Sequence, residues 1–95
     1  MTVDETLKQR NKYYGDFKET CRIAQNIKAA LRNSPNWELL DDVKREALEM
    51  DATKTARILN GNPEHHDSWH DKIGYMRLVE KELEPTLFSK DPERT

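Results

Sequence analysis

Asp67 and Asp71 stand four residues apart in Asp67-Ser68-Trp69-His70-Asp71-Lys72-Ile73-Gly74-Tyr75, so on a helix both carboxylates project from one face, continued by Gly74 and Leu78. Trp69, Ile73 and Met76 form a neighbouring apolar stripe that is expected to pack, with Gly74 letting another helix come close. In the preceding segment, Lys54 falls between Met50 and Ile58 on an apolar helical sector, with Arg57 at its edge. A buried cation must find a partner, because leaving it unpaired costs several kcal/mol or shifts its pKa. Asp67 and Asp71 are the obvious partners.

Two chemistries follow from that juxtaposition. In the first, Lys54, Arg57, Asp67 and Asp71 line a polar pocket between the third and fourth helices. The cations there engage phosphate, the acids hold Mg²⁺ or orient the cations, and Tyr14 or Trp69 flanks a base. Glu46 and Glu49 could add to Asp67 and Asp71 as oxygen ligands, which Mg²⁺ prefers. In the second, the same groups are an internal ion-pair network, or a lysine laying its stem along the core.

Other chemistries have less behind them. His66 and His70 have the i, i+4 spacing of a helical metal pair, yet lack the glutamate and third ligand of zinc enzymes. Ser68 has no glycine elbow, and Cys21 reads as a small core residue that has no second cysteine to pair with. There is no glycine-rich phosphate loop. The catalytic residues are therefore unassigned.

The elements that would hold these groups are helices throughout. Thr2-x-x-Glu5 resembles a capping box and opens a helix through about Lys12, broken at Tyr13-Tyr14-Gly15. A second helix spans about 16–32, burying Phe17, Cys21, Ala24, Ile27 and Leu31 and leaving Lys18, Arg22, Gln25 and Asn26 in water. After the turn at Asn33-Ser34-Pro35-Asn36, Trp37, Leu39 and Leu40 are expected to plug the bundle end. Asp41 or Asp42 caps a third helix ending at Asn60-Gly61. Val43, Ala47, Met50 and Ile58 mark one apolar side of it, and Leu48, Ala52, Ala56 and Leu59 mark the other, so it is central. A fourth helix runs from about Glu64 to Leu83, with Trp69 as a core aromatic alongside Trp37. The expectation is an all-α, single-domain bundle of about four helices over residues 1–85. A polar tail over 86–95 follows, and an oligomer is possible.

Composition narrows the partners. Of 95 residues, 35% are hydrophobic and 36% charged, which makes a lean core of the kind that self-association often supplements. No apolar run reaches the roughly 18 residues of a membrane span. Met1-Thr2-Val3-Asp4-Glu5 lacks the positive-then-apolar pattern of a secretory leader, so a cytoplasmic location is expected. The net charge of −2 divides into +3 over residues 1–32 and −5 over 33–95. Without a pronounced basic excess or a ladder of stacking aromatics, nucleic acid is disfavoured as a partner.

The runs Arg10-Asn11-Lys12-Tyr13-Tyr14-Gly15-Asp16-Phe17, Ser34-Pro35-Asn36-Trp37, Glu46-Ala47-Leu48-Glu49-Met50, Lys54-x-x-Arg57-Ile58-Leu59-Asn60-Gly61 and Asp67-Ser68-Trp69-His70-Asp71-x-x-Gly74-Tyr75 resemble a family of small, uncharacterised phage and prophage helical proteins. The likeness covers residues 5–83. The Lys54 and Asp67 segments look more distantly like nucleotide-modification-associated helical domains, and like the all-α nucleoside triphosphate pyrophosphohydrolases of MazG type. That last resemblance implies Mg²⁺ held by a Glu-x-x-Glu pair and a Glu-x-x-Asp pair. This chain has Glu46-x-x-Glu49 but Asp67-x-x-x-Asp71, a departure in both spacing and acid. The resemblance implies a phage-encoded accessory protein of the host cytoplasm with a nucleotide-linked pocket that binds its ligand or hydrolyses it. The alternative is a non-enzymatic host-takeover or anti-defence protein that inhibits a host protein or sequesters a nucleotide signal.

Overall fold

The computed structural model of the chain describes residues 1–84. Its order is α1 (Val3–Tyr14), α2 (Phe17–Arg32), a 3₁₀ turn at Trp37–Leu39, α3 (Asp42–Asn60) and α4 (His66–Glu84). Among the described residues there is no strand, and the all-α expectation holds. The expected tail over 86–95 lies outside them.

α1, α2 and α3 each begin where a side chain can satisfy one of the first free backbone N–H groups. The Thr2 hydroxyl accepts from the Glu5 N–H at 3.1 Å, an Asp16 carboxylate oxygen from Glu19 at 3.2 Å, and one of Asp41 from Lys44 at 3.0 Å. α1 runs two residues past Lys12, because Gly15 rather than Tyr13 breaks it. Gly15 sits at φ +78°, ψ −173°, backbone open in practice only to glycine.

α3 is the middle helix. It packs extensively against α2 on one side and α4 on the other, while α2 and α4 barely meet and α1 rests lightly on α2 and α3. The two-sided apolar pattern of α3 is thereby explained. Ala47 and Ile58 are buried on one side and Ala52 and Ala56 on the other, with Met50 and Leu48 half-buried. The seams are made of small residues. Ala24 in α2 faces α3, and Ser68, only 3% exposed, lies in the packed face of α4. Small residues let helix backbones approach closely but bury little apolar area each.

Several expected core positions are on the surface. Phe17 is 74% exposed, Leu59 65%, Ile73 67% and Trp69 50%. Val43, Leu39 and Met76 are exposed as well, whereas Trp37 is buried as expected. The phase of α4 explains its part of the correction. Ser68, Asp71, Lys72, Tyr75 and Val79 turn toward α3, so Trp69-Ile73-Met76 falls on a flank. Trp69 instead donates its indole N–H to the Pro63 carbonyl at 2.8 Å, bracing the start of its own helix. Gly74 provides no close approach: a Cβ added there would meet nothing within 4 Å. Ser68 is the residue that closes that seam.

Candidate functional site

The charged residues picked out by sequence separate into two places. Between α3 and α4, Lys54, whose side chain is 12% exposed, pairs with Asp71 at 2.9 Å. On the other flank of the same seam, Lys72 pairs with Asp51 at 2.8 Å and donates to the Thr55 hydroxyl. Asp71 is held below the ordinary carboxylate range, first by its hydrogen bond to Lys54, then by the charge of Lys54, and to a lesser degree by His70 and Arg57. These are closed pairs, as the ion-pair alternative anticipates.

Asp67 is exposed and lies 3.6 Å from its neighbour His66, away from Lys54. Glu49 pairs with Arg32 of α2, and Glu46 faces solvent. Among the described residues, no three metal-capable side chains converge, so the set Glu46, Glu49, Asp67 and Asp71 is not assembled around one point. His66 and His70 stack at 5.4 Å between ring centroids on the outer surface of α4.

Arg57 turns the other way. It leaves the α3–α4 seam and lies over the Tyr14 ring, 4.5 Å from its centroid, while Arg10 sits 5.1 Å from the same ring. Tyr14 thus gathers two guanidinium groups from different helices. They border a cleft of about 290 Å³ between α1, α2 and α3, whose lining includes Phe17, Cys21, Lys28 and Thr53. Among the described residues, three cations line it and no carboxylate does. Among the described residues, Arg10, Lys28 and Arg57 have no carboxylate within ion-pair distance.

The cleft owes its shape to a clasp between two turns. The Asn62 N–H donates to the Tyr13 carbonyl at 2.7 Å, and the Thr20 hydroxyl donates to the Tyr14 carbonyl at 2.9 Å. Asn60 Nδ2 donates to the Asp16 carbonyl at 3.0 Å and to Thr20 Oγ1 at 3.1 Å. His65 stacks on Tyr13 at 4.5 Å and meets Tyr14 edge-on at 5.7 Å. Space at the crossing is so short that a Cβ on Gly15 would lie 2.5 Å from the Asn60 carbonyl oxygen, and one on Gly61 would lie 2.5 Å from Tyr14 backbone carbon. The two turns therefore fix Tyr14, and Tyr14 fixes the arginines.

Of the six residues expected to bind a ligand, the structure brings Tyr14 and Arg57 together at this cleft and Lys54 and Asp71 together at the seam. Asp67 and Trp69 join neither pair. Arg10 and Lys28 were missed. The excess of positive charge over residues 1–32 was their only sequence signal, and it did not say which cations would share a cleft.

Comparison with curated proteins yields no match, and neither does comparison with solved structures. The model of a domain of unknown function, DUF6378, matches residues 2–83. With nearly the whole described chain inside that match, the protein belongs to the DUF6378 family.

Proposed function

We propose that the protein binds a small anionic ligand of the nucleotide class in the cleft between α1, α2 and α3, rather than between α3 and α4. The observation that carries this reading is the Arg10–Tyr14–Arg57 stack facing Lys28 with no acid in the lining. A guanidinium held against an aromatic ring uses its flat face for that contact and keeps its in-plane N–H donors free. Two such forks plus an ammonium suit phosphate oxygens, which accept charge-assisted hydrogen bonds. Leu7 and Phe17, 51% and 74% exposed, form an apolar lip on which a planar base can rest. The volume lies at the lower edge of the roughly 300–1,000 Å³ of ligand pockets, so the ligand is small or protrudes.

The lining offers donors and cations but no carboxylate to act as a base or to carry Mg²⁺. Binding is therefore favoured over hydrolysis. In a phage-encoded accessory protein, that activity amounts to sequestering a nucleotide signal, an anti-defence role. A thermal-shift series with nucleoside mono-, di- and triphosphates, with and without Mg²⁺, tests it. The expected result is a raised midpoint that weakens with added salt. Arg57→Gln or Arg10→Gln should abolish the shift and Lys54→Gln should leave it. If no nucleotide moves the midpoint of the wild-type chain, the reading fails.

A further inference from the structure

The packing of α3 between α2 and α4, which barely meet each other, makes a single layer of three helices. Domains enclose a core between two layers, and one layer has two faces to cover. α1 rests on one of them and forms the cleft there. The other face has no covering element among the described residues.

Helical phase identifies that second face. Lys72 reaches Asp51 and Thr55, so the α4 flank bearing Trp69, Ile73 and Met76 borders the α3 side bearing Thr55. Leu48 and Leu59 continue the Thr55 stripe at seven- and four-residue intervals. On α2, Ile27 sits about 60° around the helix from the cleft-lining Ala24 and about 100–120° from Lys28 and Cys21, at the edge nearer the second face. The outcome is an apolar plateau on which Leu59, Ile73 and Trp69 are at least half exposed.

We infer that a second copy of this chain covers the plateau, face to face, completing a two-layer bundle. Two quantities and one charge argument select that occupant. The chain exposes 7166 Å², whereas a compact monomer of 11.2 kDa exposes about 5,700 Å². Its radius of gyration is 17.0 Å, against about 12 Å for a compact chain of this length. Among the described residues no large side chain is fully buried within one copy, and the chain's own copies are always on hand to supply the missing cover.

Charge then separates this face from its rival. On the plateau, Asp51, Lys72, Arg77 and Glu80 cancel, so two copies meet without repulsion. The apolar groove on the opposite face, at Val43, Ala47, Tyr75 and Leu78, is bordered by Asp42 and Glu46, and self-docking there would bring like charges together.

Sedimentation of the full-length chain at micromolar concentration tests the inference. The expected mass is twice that of the 11.2 kDa chain, with an unfolding midpoint that rises with protein concentration. Ile73→Glu should convert the dimer to monomer or lower its affinity by at least a hundredfold, whereas Leu78→Glu should leave it dimeric. Should Ile73→Glu fail to fold, the concentration dependence of the wild-type midpoint still decides. A wild-type monomer with a concentration-independent midpoint overturns the inference. So does a dimer dispersed by Leu78→Glu and not by Ile73→Glu. The nucleotide cleft lies on the other face, so a negative result in either experiment leaves the other reading standing.

Discussion

The clasp between the α1–α2 and α3–α4 turns and the charged seam between α3 and α4 both hold helices together, by opposite means. At the clasp the backbones themselves are held close: the Asn62 N–H reaches the Tyr13 carbonyl, the short Asn60 side-chain amide reaches the Asp16 carbonyl, and Gly15 and Gly61 leave no room for a side-chain carbon. At the seam, long flexible side chains do the joining, Lys54 to Asp71 and Lys72 to Asp51, above a line of alanines and Ser68. A backbone junction tolerates almost no change. A junction of long side chains can rearrange around a lost partner. The part of the molecule richest in charge is thus expected to be the less sensitive to substitution.

The largest effect is expected from Gly61→Ala. Its new methyl would strike the Tyr13 carbonyl and Tyr14 backbone, which cannot swing aside, so unfolding free energy should fall by about 3 kcal/mol in urea titration. A loss under 1 kcal/mol would mean the clasp is looser than its contacts indicate. Asn60→Ala removes two hydrogen bonds at the same junction and should cost about 2 kcal/mol by the same measurement. Gly74→Ala should go the other way. Nothing lies near its added carbon, and an exposed helix-interior glycine is replaced, so thermal melts should show a gain of about 0.5–1 kcal/mol.

Lys54→Met should have the smallest effect at neutral pH, and its signature is in the pH dependence. The Asp71 carboxyl is depressed in the folded chain by Lys54. Its contribution is therefore present above the ordinary carboxylate pKa of about 3.9 and is lost as pH falls through the folded value. Urea midpoints measured from pH 7 down to pH 3 should show a shallower acid limb in Lys54→Met than in wild type. The remaining limb is carried in part by Glu19 and Asp41, which Arg22 and Lys44 depress in the same way. An unchanged limb would mean that Lys54 does not set the ionisation of Asp71.

Helix number, the cap at Thr2, a cap at Asp41 or Asp42, and the central place of α3 were all legible, because each rests on local chemistry or on periodicity along one helix. The Lys54–Asp71 pair was legible for a related reason: a cation on an apolar sector narrows the choice of partner. Arg57 was not. Three residues on from Lys54, it sits about 60° around the helix, and that small rotation sends it to Tyr14 across a different seam. Periodicity also marks which residues are apolar without saying whether anything covers them. Trp69, Ile73 and Phe17 read as core for that reason. The clasp escaped because glycine and asparagine at a helix end have the ordinary meaning of a stop signal, and nothing local says that two stops will interlock.

The alanine seams of α3 also bear on how the molecule opens. Since α2 and α4 communicate almost wholly through α3, each outer helix can loosen while the other keeps its contacts. All major packing is between neighbours in sequence, the arrangement that favours rapid, stepwise assembly of adjacent hairpins. Amide exchange should therefore be slowest along the α3 backbone around Ala52 and Ala56 and faster in both flanking helices, making α3 the last element to let go.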